Sequence, residues 1–269
     1  MYVQVNGHDT YCYTGGKAFD AAKPTAVFIH GVLNDHSVWA LQSRHLANRG
    51  WNVLAVDLPG HCKSAGEPPA SVEQAAAFVG ALLDALGVQR AALIGHSWGS
   101  LIALEAAATL GARVSHLVLV GTAYPMRVAP ALIESSLNAP EKALKMVNVF
   151  SRSTLASPSG AGFWVYGAGM ALGRRVLRSN PRVNLFHRGF VACDSYANGE
   201  QAMAAVAAAH TPVLFVLGAQ DQMTPPKAAQ GLVKAAGPGA RVAYVPVGHQ
   251  QMTEAPEETL FAIRDFLAV

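Results

Sequence analysis

The sequence predicts an α/β fold: a mainly parallel central sheet of about eight strands with an antiparallel N-terminal hairpin, flanked by helices and carrying an inserted helical cap. Three observations predict it. Short apolar runs rich in β-branched residues recur along the chain, as buried parallel strands require. Helical stretches separate them, which would cover both faces of such a sheet. The alternation then lapses for roughly eighty residues, too long for a plain connection.

Taken in order, Tyr2 to Val5 and Thr10 to Tyr13 alternate polar and apolar residues, and Asn6-Gly7 between them tolerates positive φ, which signals a hairpin. Buried strands follow at Ala26 to Ile29, Val53 to Val56, Ala91 to Ile94, Leu117 to Val120, Val213 to Leu217 and Val242 to Val245. Helices are expected over Val38 to Asn48, Val72 to Leu86, Ser100 to Leu110, Lys227 to Ala236 and Glu257 to Leu267. Ser71 with Gln74 opens the second of these as a capping box. From Tyr124 to about Val206 there are helical patches and no convincing buried strand. The expected organisation is a core domain of residues 1–123 and 207–269 with a helical lid at 124–206.

Composition narrows the function classes. Of 269 residues 51% are hydrophobic and only 14% charged, against about a quarter charged in an ordinary globular chain. This excludes a charge-driven disordered protein and implies a large core. The net charge of +3 is too small to imply nucleic acid. Eighteen consecutive apolar residues never occur, so no membrane span is expected, and the N-terminus lacks the basic and apolar regions of a secretory signal. Cys12, Cys62 and Cys193 are odd in number and not in ligand spacing, so the expected setting is cytoplasmic, with neither a structural metal nor a disulfide framework.

Chemistry centres on Gly95-His96-Ser97-Trp98-Gly99, between the strand Ala91 to Ile94 and the helix from Ser100. A bare glycine pair around a helix-capping serine would look the same as a pentapeptide. The strand before and the helix after it favour a sharp strand-to-helix turn that pushes a nucleophilic Oγ above the sheet. A serine needs a base, and His116, His187, His210 and His249 follow it. His116 and His210 precede strands, at the opposite end of a parallel sheet, and His187 lies in the cap. His249 follows the last strand, at the correct edge. Six carboxylates lie between Ser97 and His249: Glu105 is on the helix behind the serine, and Glu134, Glu141, Asp194 and Glu200 are in the cap. Asp221, directly after the strand Val213 to Leu217, remains as the group that orients the imidazole. For the oxyanion, the strand Ala26 to Ile29 ends in His30-Gly31-Val32, and the amides of Val32 and Trp98 are the expected donors. His30 itself reads as a hydrogen-bonded core residue, and Cys62 as a spectator thiol.

These residues resemble the α/β-hydrolase superfamily, specifically its capped, esterase-like branch. The resemblance rests on His30-Gly31 with Trp39, Asp57-Leu58-Pro59-Gly60-His61, the turn at Ser97, Asp221 with Thr224-Pro225, and Gly248-His249 followed by Glu254-Ala255-Pro256. It covers nearly all of the chain outside the cap and has the order nucleophile, acid, histidine. It implies that Asp57 shapes the loop after its strand. The serine stands where dehalogenases and epoxide hydrolases of this fold carry aspartate. One departure is Cys62, where relatives commonly have a second glycine.

Between 124 and 205 nine basic residues face four acidic ones, five of the arginines falling at 174, 175, 178, 182 and 188. The cluster reads either as a solvated face or as attraction for an anionic substrate. Cap aromatics, with Trp164, Tyr166 and Phe186 as candidate substrate contacts, favour an apolar acyl or alcohol portion. The leading expectation is a serine hydrolase that cleaves small-molecule carboxylic esters through an acyl-enzyme, with no cofactor and no metal. Thioester or carbon-carbon hydrolysis, or acyl transfer, by the same triad is the alternative enzyme reading, and a non-catalytic ligand-binding receptor the alternative of another class. Nothing in the pattern speaks to oligomeric state.

Overall fold

The computed structural model describes residues 1–153 and 161–268, and of 161–165 the backbone alone. Strands β1 (Tyr2–Val5) and β2 (His8–Tyr13) form the N-terminal hairpin. Asn6 and Gly7 take φ of 51° and 79°, both in the left-handed region a two-residue turn demands. The remaining strands are β3 (Thr25–Ile29), β4 (Asn52–Val56), β5 (Ala91–His96), β6 (Val114–Val120), β7 (Val213–Gly218) and β8 (Arg241–Val245). They join one sheet in the order β1-β2-β4-β3-β5-β6-β7-β8, with β1–β2 and β2–β4 antiparallel and every other pair parallel.

Strand alternation sends residues to two cores. Val27, Ile29, Ala91 and Leu93 join one apolar cluster with the helices α2 (Val72–Ala85) and α3 (Trp98–Leu110). Ala26, Phe28, Ala92 and Ile94 join the other, with α1 (Ala40–Asn48) and the C-terminal helix Pro256–Leu267. Strand β3 is buried at every residue, which explains its unbroken apolar run. Strand β8 differs from the buried strand expected: only Val245 is buried, and Tyr244 is 65% exposed. It is the last strand of the sheet, so one side has no neighbour.

Local signals explain most helix boundaries. Ser71 accepts from the Gln74 amide at 3.2 Å, and Gln74 Oε1 accepts from Ala70 N at 2.9 Å, one residue earlier than a standard capping box. The helix expected from Val38 starts instead as a 3-10 turn over His36–Trp39, capped by Asp35. Between β6 and β7 lie α4 (Pro130–Asn138) and α5 (Pro140–Phe150), each opened by proline, then α6 (Ala161–Ser179), α7 (Leu185–Ser195) and α8 (Gly199–Ala208). Helix α8 packs on α3 and on α9 (Gln230–Ala236) beside the sheet. Helices α5, α6 and α7 share a small core of their own, including Leu144, Met170, Phe186 and Phe190, closed below by Leu33. Two short helical segments finish the chain, α10 (Gln251–Glu254) and α11 (Pro256–Leu267). Among the described residues no helix is long and apolar enough to cross a membrane.

The topology positions the site. From β3 the chain steps outward to β4, then returns across β3 to β5 and continues in the other direction. The loops leaving the C-terminal ends of β3 and β5 therefore diverge, and a crevice opens between them.

Candidate active site

Ser97 stands in that crevice, as the residue that caps α3, with φ 53° and ψ −120°. A non-glycine residue pays on the order of 1–3 kcal/mol for such a backbone. Its surroundings hold it there. Ser97 N donates to Val120 O at 2.9 Å, and the Ser97 carbonyl accepts from Ser100 N at 2.8 Å and Ser100 Oγ at 2.5 Å. The two glycines of the motif permit the turn by close approach: a Cβ at Gly95 would lie 2.0 Å from Gly99 O, and one at Gly99 would lie 2.4 Å from Ile29 O. Among the described residues, no intramolecular hydrogen bond uses the amides of Val32 or Trp98. Two donors thus remain available beside the serine.

His249 and Asp221 meet on the adjacent loops. Asp221 follows β7 and His249 follows β8, and His249 Nδ1 lies 2.8 Å from Asp221 Oδ2. This leaves Nε2 as the ring nitrogen that can exchange a proton with a substrate or with Ser97. Among the described residues no hydrogen bond joins Ser97 Oγ to His249, and ligand-free sites are often loose at this contact. The carboxylate is held on all sides. Asp221 Oδ1 accepts from the amides of Met223 and Thr224, both at 2.8 Å, and Oδ2 accepts from Thr224 Oγ1 at 2.7 Å. Burial alone would raise the Asp221 pKa, but the neighbouring His249 and the hydrogen bonds from His249 and Thr224 hold it below the usual carboxylate range.

Other histidines close to the site stay neutral. Burial pushes His96 down to about 3, and its Nε2 donates to the His249 carbonyl at 2.7 Å. Burial likewise lowers His61 to about 3. His30 is fully buried and bridges two loops, its Nδ1 donating to Gly31 O at 2.9 Å and its Nε2 accepting from Leu58 N at 3.2 Å. This is the packing role read from sequence.

Several positioning residues lacked any sequence signal. His249 N donates to Ser151 O at 2.9 Å, Ser153 N to Glu254 Oε2 at 2.8 Å, and Ser153 Oγ to Gln220 Oε1 at 2.7 Å. The segment after α5 is thereby stitched to the loops that carry both Asp221 and His249.

A cavity of about 510 Å³ lies under α5 and α6, with Val32, Val38, Leu144, Val147 and Leu172 among its walls. Val32 and Gln250 bring it to the edge of the crevice, whereas Ser97, His249 and Asp221 are not among its described walls. Of the candidate substrate contacts, Phe186 is fully buried in the small core of α5 to α7, its ring tilted by 57° against that of Phe190 at 4.8 Å, and so serves packing there. Tyr166 is 40% exposed. The side chain of Trp164 lies outside the described residues. Trp98 is 1% exposed and packs 5.9 Å from the His61 ring.

Asp35, His36 and Asp57 bring ligand atoms within 4.8 Å of one another, the only such cluster among the described residues. Its carboxylate oxygens already accept hydrogen bonds. Asp57 Oδ1 accepts from His36 N at 2.9 Å and binds His36 Nδ1 at 2.8 Å, and Asp57 Oδ2 accepts from Lys63 N at 3.2 Å. Asp35 Oδ2 accepts from Arg175 Nη2 at 2.6 Å, so a guanidinium supplies the positive charge a metal would bring. Asp57 thus ties the 36 and 63 loops together. Cys62 takes φ 45°, the left-handed conformation glycine adopts freely, and burial pushes its thiol up to about 12, which leaves it a poor nucleophile.

The family model described as alpha/beta hydrolase fold matches residues 24–256. Among curated relatives, a 2-hydroxy-6-oxononadienedioate/2-hydroxy-6-oxononatrienedioate hydrolase of Paraburkholderia phymatum is 34% identical over 145 residues, which span 48% of this chain and 50% of that protein. A dihydrolipoyllysine-residue acetyltransferase component of the acetoin cleaving system of Cupriavidus necator is 34% identical over 111 residues, 41% of this chain and 28% of that protein. The chain spans half or less of the length of these relatives. An enol-lactonase structure from Burkholderia xenovorans superposes with a TM-score of 0.83 at 22% identity, covering 100% of both chains, a likeness of fold.

Proposed function

The chain belongs to the alpha/beta hydrolase fold family, and from that premise we propose that it is a serine hydrolase cleaving carboxylic esters through an acyl-enzyme. The observation that carries the reading is the His249–Asp221 contact of 2.8 Å on the loops beside a serine held at φ 53°. Ser97 Oγ attacks the ester carbonyl carbon while His249 Nε2 takes its proton. Asp221 keeps Nδ1 protonated and stabilises the imidazolium. The oxyanion is met by the amides of Val32 and Trp98, each donor typically worth about 3 kcal/mol of barrier. The tetrahedral species collapses, His249 returns the proton to the departing alkoxide, and water, deprotonated by His249, then releases the acid and restores Ser97. Helices α4 to α7 act as the cap, and the cavity under α5 and α6 accepts an apolar acyl portion.

Carbon-carbon hydrolysis by the same residues is the second reading, favoured by the similarity to the oxononadienedioate hydrolase. A panel of short-chain phenyl esters, assayed with wild type and Ser97→Ala, tests the proposal. Turnover that vanishes in the variant supports it. Turnover that survives Ser97→Ala at the wild-type rate, or cleavage of vinylogous diketones with no ester cleaved, overturns it.

A further inference from the structure

Resting on the acyl-enzyme reading above, we propose that the natural acyl group ends in a carboxylate, which is received in a second cavity walled by Lys63, Arg175 and Arg178. This cavity, of about 760 Å³, lies between α6 and the loops after β3 and β4. Ala171, Arg174, Arg175 and Arg178 recur at three- and four-residue spacing, so one face of α6 presents them together. From the core side come Asp35, His36, Cys62 and Lys63.

The charges do not cancel. Arg174 pairs with Glu141 and Arg175 with Asp35. Arg188, outside the cavity, pairs with Glu67. Among the described residues neither Arg178 nor Lys63 forms an ion pair within 4 Å, although Arg178 lies within electrostatic reach of Glu141, and Lys63 Nζ rests 4.3 Å from the Tyr11 ring centroid. His36 is already engaged with Asp57. Four cationic side chains therefore line the cavity against the single lining carboxylate of Asp35, and two of them, Lys63 from the core side and Arg178 from α6, have no close ion pair.

Continuity makes this a substrate subsite rather than a detached surface patch. The two cavities share Ser37, Ala171 and Arg175. The first has Val32, whose amide is the proposed oxyanion donor, and Arg175 among its walls, which mix apolar side chains such as Leu144, Val147 and Leu172 with polar ones that include Asn148 and Arg152. An acyl chain with its carbonyl at Val32 can thus pass Leu144, Val147 and Leu172 and reach Arg175, while Arg152, the other cation of the first cavity, is engaged by Thr253 and lies near Glu254. The guanidinium of Arg175 is fixed at the junction by Asp35 and by Ser37 Oγ at 3.0 Å.

The test compares binding of suberate and octanoate, which differ by one terminal carboxylate, by calorimetry on wild type, Lys63→Gln and Arg178→Gln. In parallel, kcat/KM is compared for monophenyl suberate and phenyl octanoate. The expected result is that suberate binds at least about tenfold better than octanoate, and that monophenyl suberate reacts at least about tenfold better than the neutral phenyl octanoate. That ratio falls severalfold in each variant, and in wild type it shrinks between about 0.02 M and 0.5 M salt, as screening requires. Equal affinity for the two acids, or a preference untouched by both substitutions and by salt, overturns the subsite. Calorimetry does not need turnover, so loss of ester cleavage would contradict the acyl-enzyme reading while the subsite is still judged on binding.

Discussion

The carbonyl oxygen of Ser151 accepts the backbone N–H of His249 at 2.9 Å, which makes the end of α5 and the histidine loop one hydrogen-bonded unit. Two residues further on, Ser153 reaches both Glu254 and Gln220. Because Gln220 precedes Asp221, the same short segment touches both halves of the His–Asp pair. Helix α5 also walls the cavity of about 510 Å³, through Leu144, Val147 and Asn148. The helix whose end holds the His249 loop is therefore also a wall of the cavity.

Ser153→Ala removes the hydroxyl to Gln220 and keeps the amide to Glu254. Misplacing a catalytic group by a fraction of an ångström is costly, so kcat should fall about three- to thirtyfold with KM changed far less. Steady-state kinetics on a neutral ester checks this, and an unchanged kcat would show that the segment does not position His249.

Thr224→Val should cost both stability and rate. The hydroxyl is buried among Asp221 Oδ2 at 2.7 Å, Gly121 O at 3.0 Å and His249 Nδ1 at 3.0 Å, and has one proton to donate, for which Asp221 is the nearest acceptor. Losing it strips a buried carboxylate of one donor, worth about 1–3 kcal/mol. Urea unfolding reads the first effect and kcat the second; a variant as stable and as active as wild type would contradict this network.

Gly99→Ala should fail to fold or lose at least about 3 kcal/mol. Its Cβ would sit 2.4 Å from Ile29 O and 2.6 Å from His30 O, both backbone atoms of the sheet's central region that cannot swing away. Thermal melting is the readout, and a melting point within a few degrees of wild type would mean that the helix is not packed this closely on β3.

The fold was legible because its signal is periodic and repeated: alternating residues in β1 and β2, unbroken apolar runs in β3 to β7, and a long lapse before β7. Candidate site residues were legible for a different reason. In a parallel sheet only loops after strands share an edge, and that argument singled out Asp221 and His249, which the structure places 2.8 Å apart. What stayed hidden depends on contacts between distant segments. Ser151 and Ser153 carry no spacing that ties them to residues about a hundred positions later. Phe186 is by sequence a candidate ligand contact, although such aromatics more often pack, and burial puts it in the small core shared by α5, α6 and α7. Cys62 sits at a position that favours glycine, and only its φ of 45° shows that the loop keeps a glycine-like path.

Acid should weaken the contact between α6 and the core. Burial opposes ionisation of Asp35, but the Ser37 hydroxyl and amide and the Arg175 guanidinium overcome it and lower its pKa from 3.8 to about 2. The folded protein therefore binds fewer protons than the unfolded chain at this site. The resulting stability is complete above about pH 4 and is lost as pH falls toward 2, a contribution of up to about 2 kcal/mol before screening at the exposed Arg175 is allowed for. Urea unfolding between pH 2 and 5 should show a shallower pH dependence in Asp35→Asn than in wild type; identical slopes would contradict the ion pair.

Labelling with a fluorophosphonate, followed by peptide mass mapping, tests the central claim most directly, because the reagent is trapped only by an activated nucleophile. The account predicts one adduct, on Ser97, formed at least about a hundredfold more slowly in His249→Ala and absent in Ser97→Ala. An adduct on Cys62 or another residue, or no adduct on a folded wild-type protein, would contradict it.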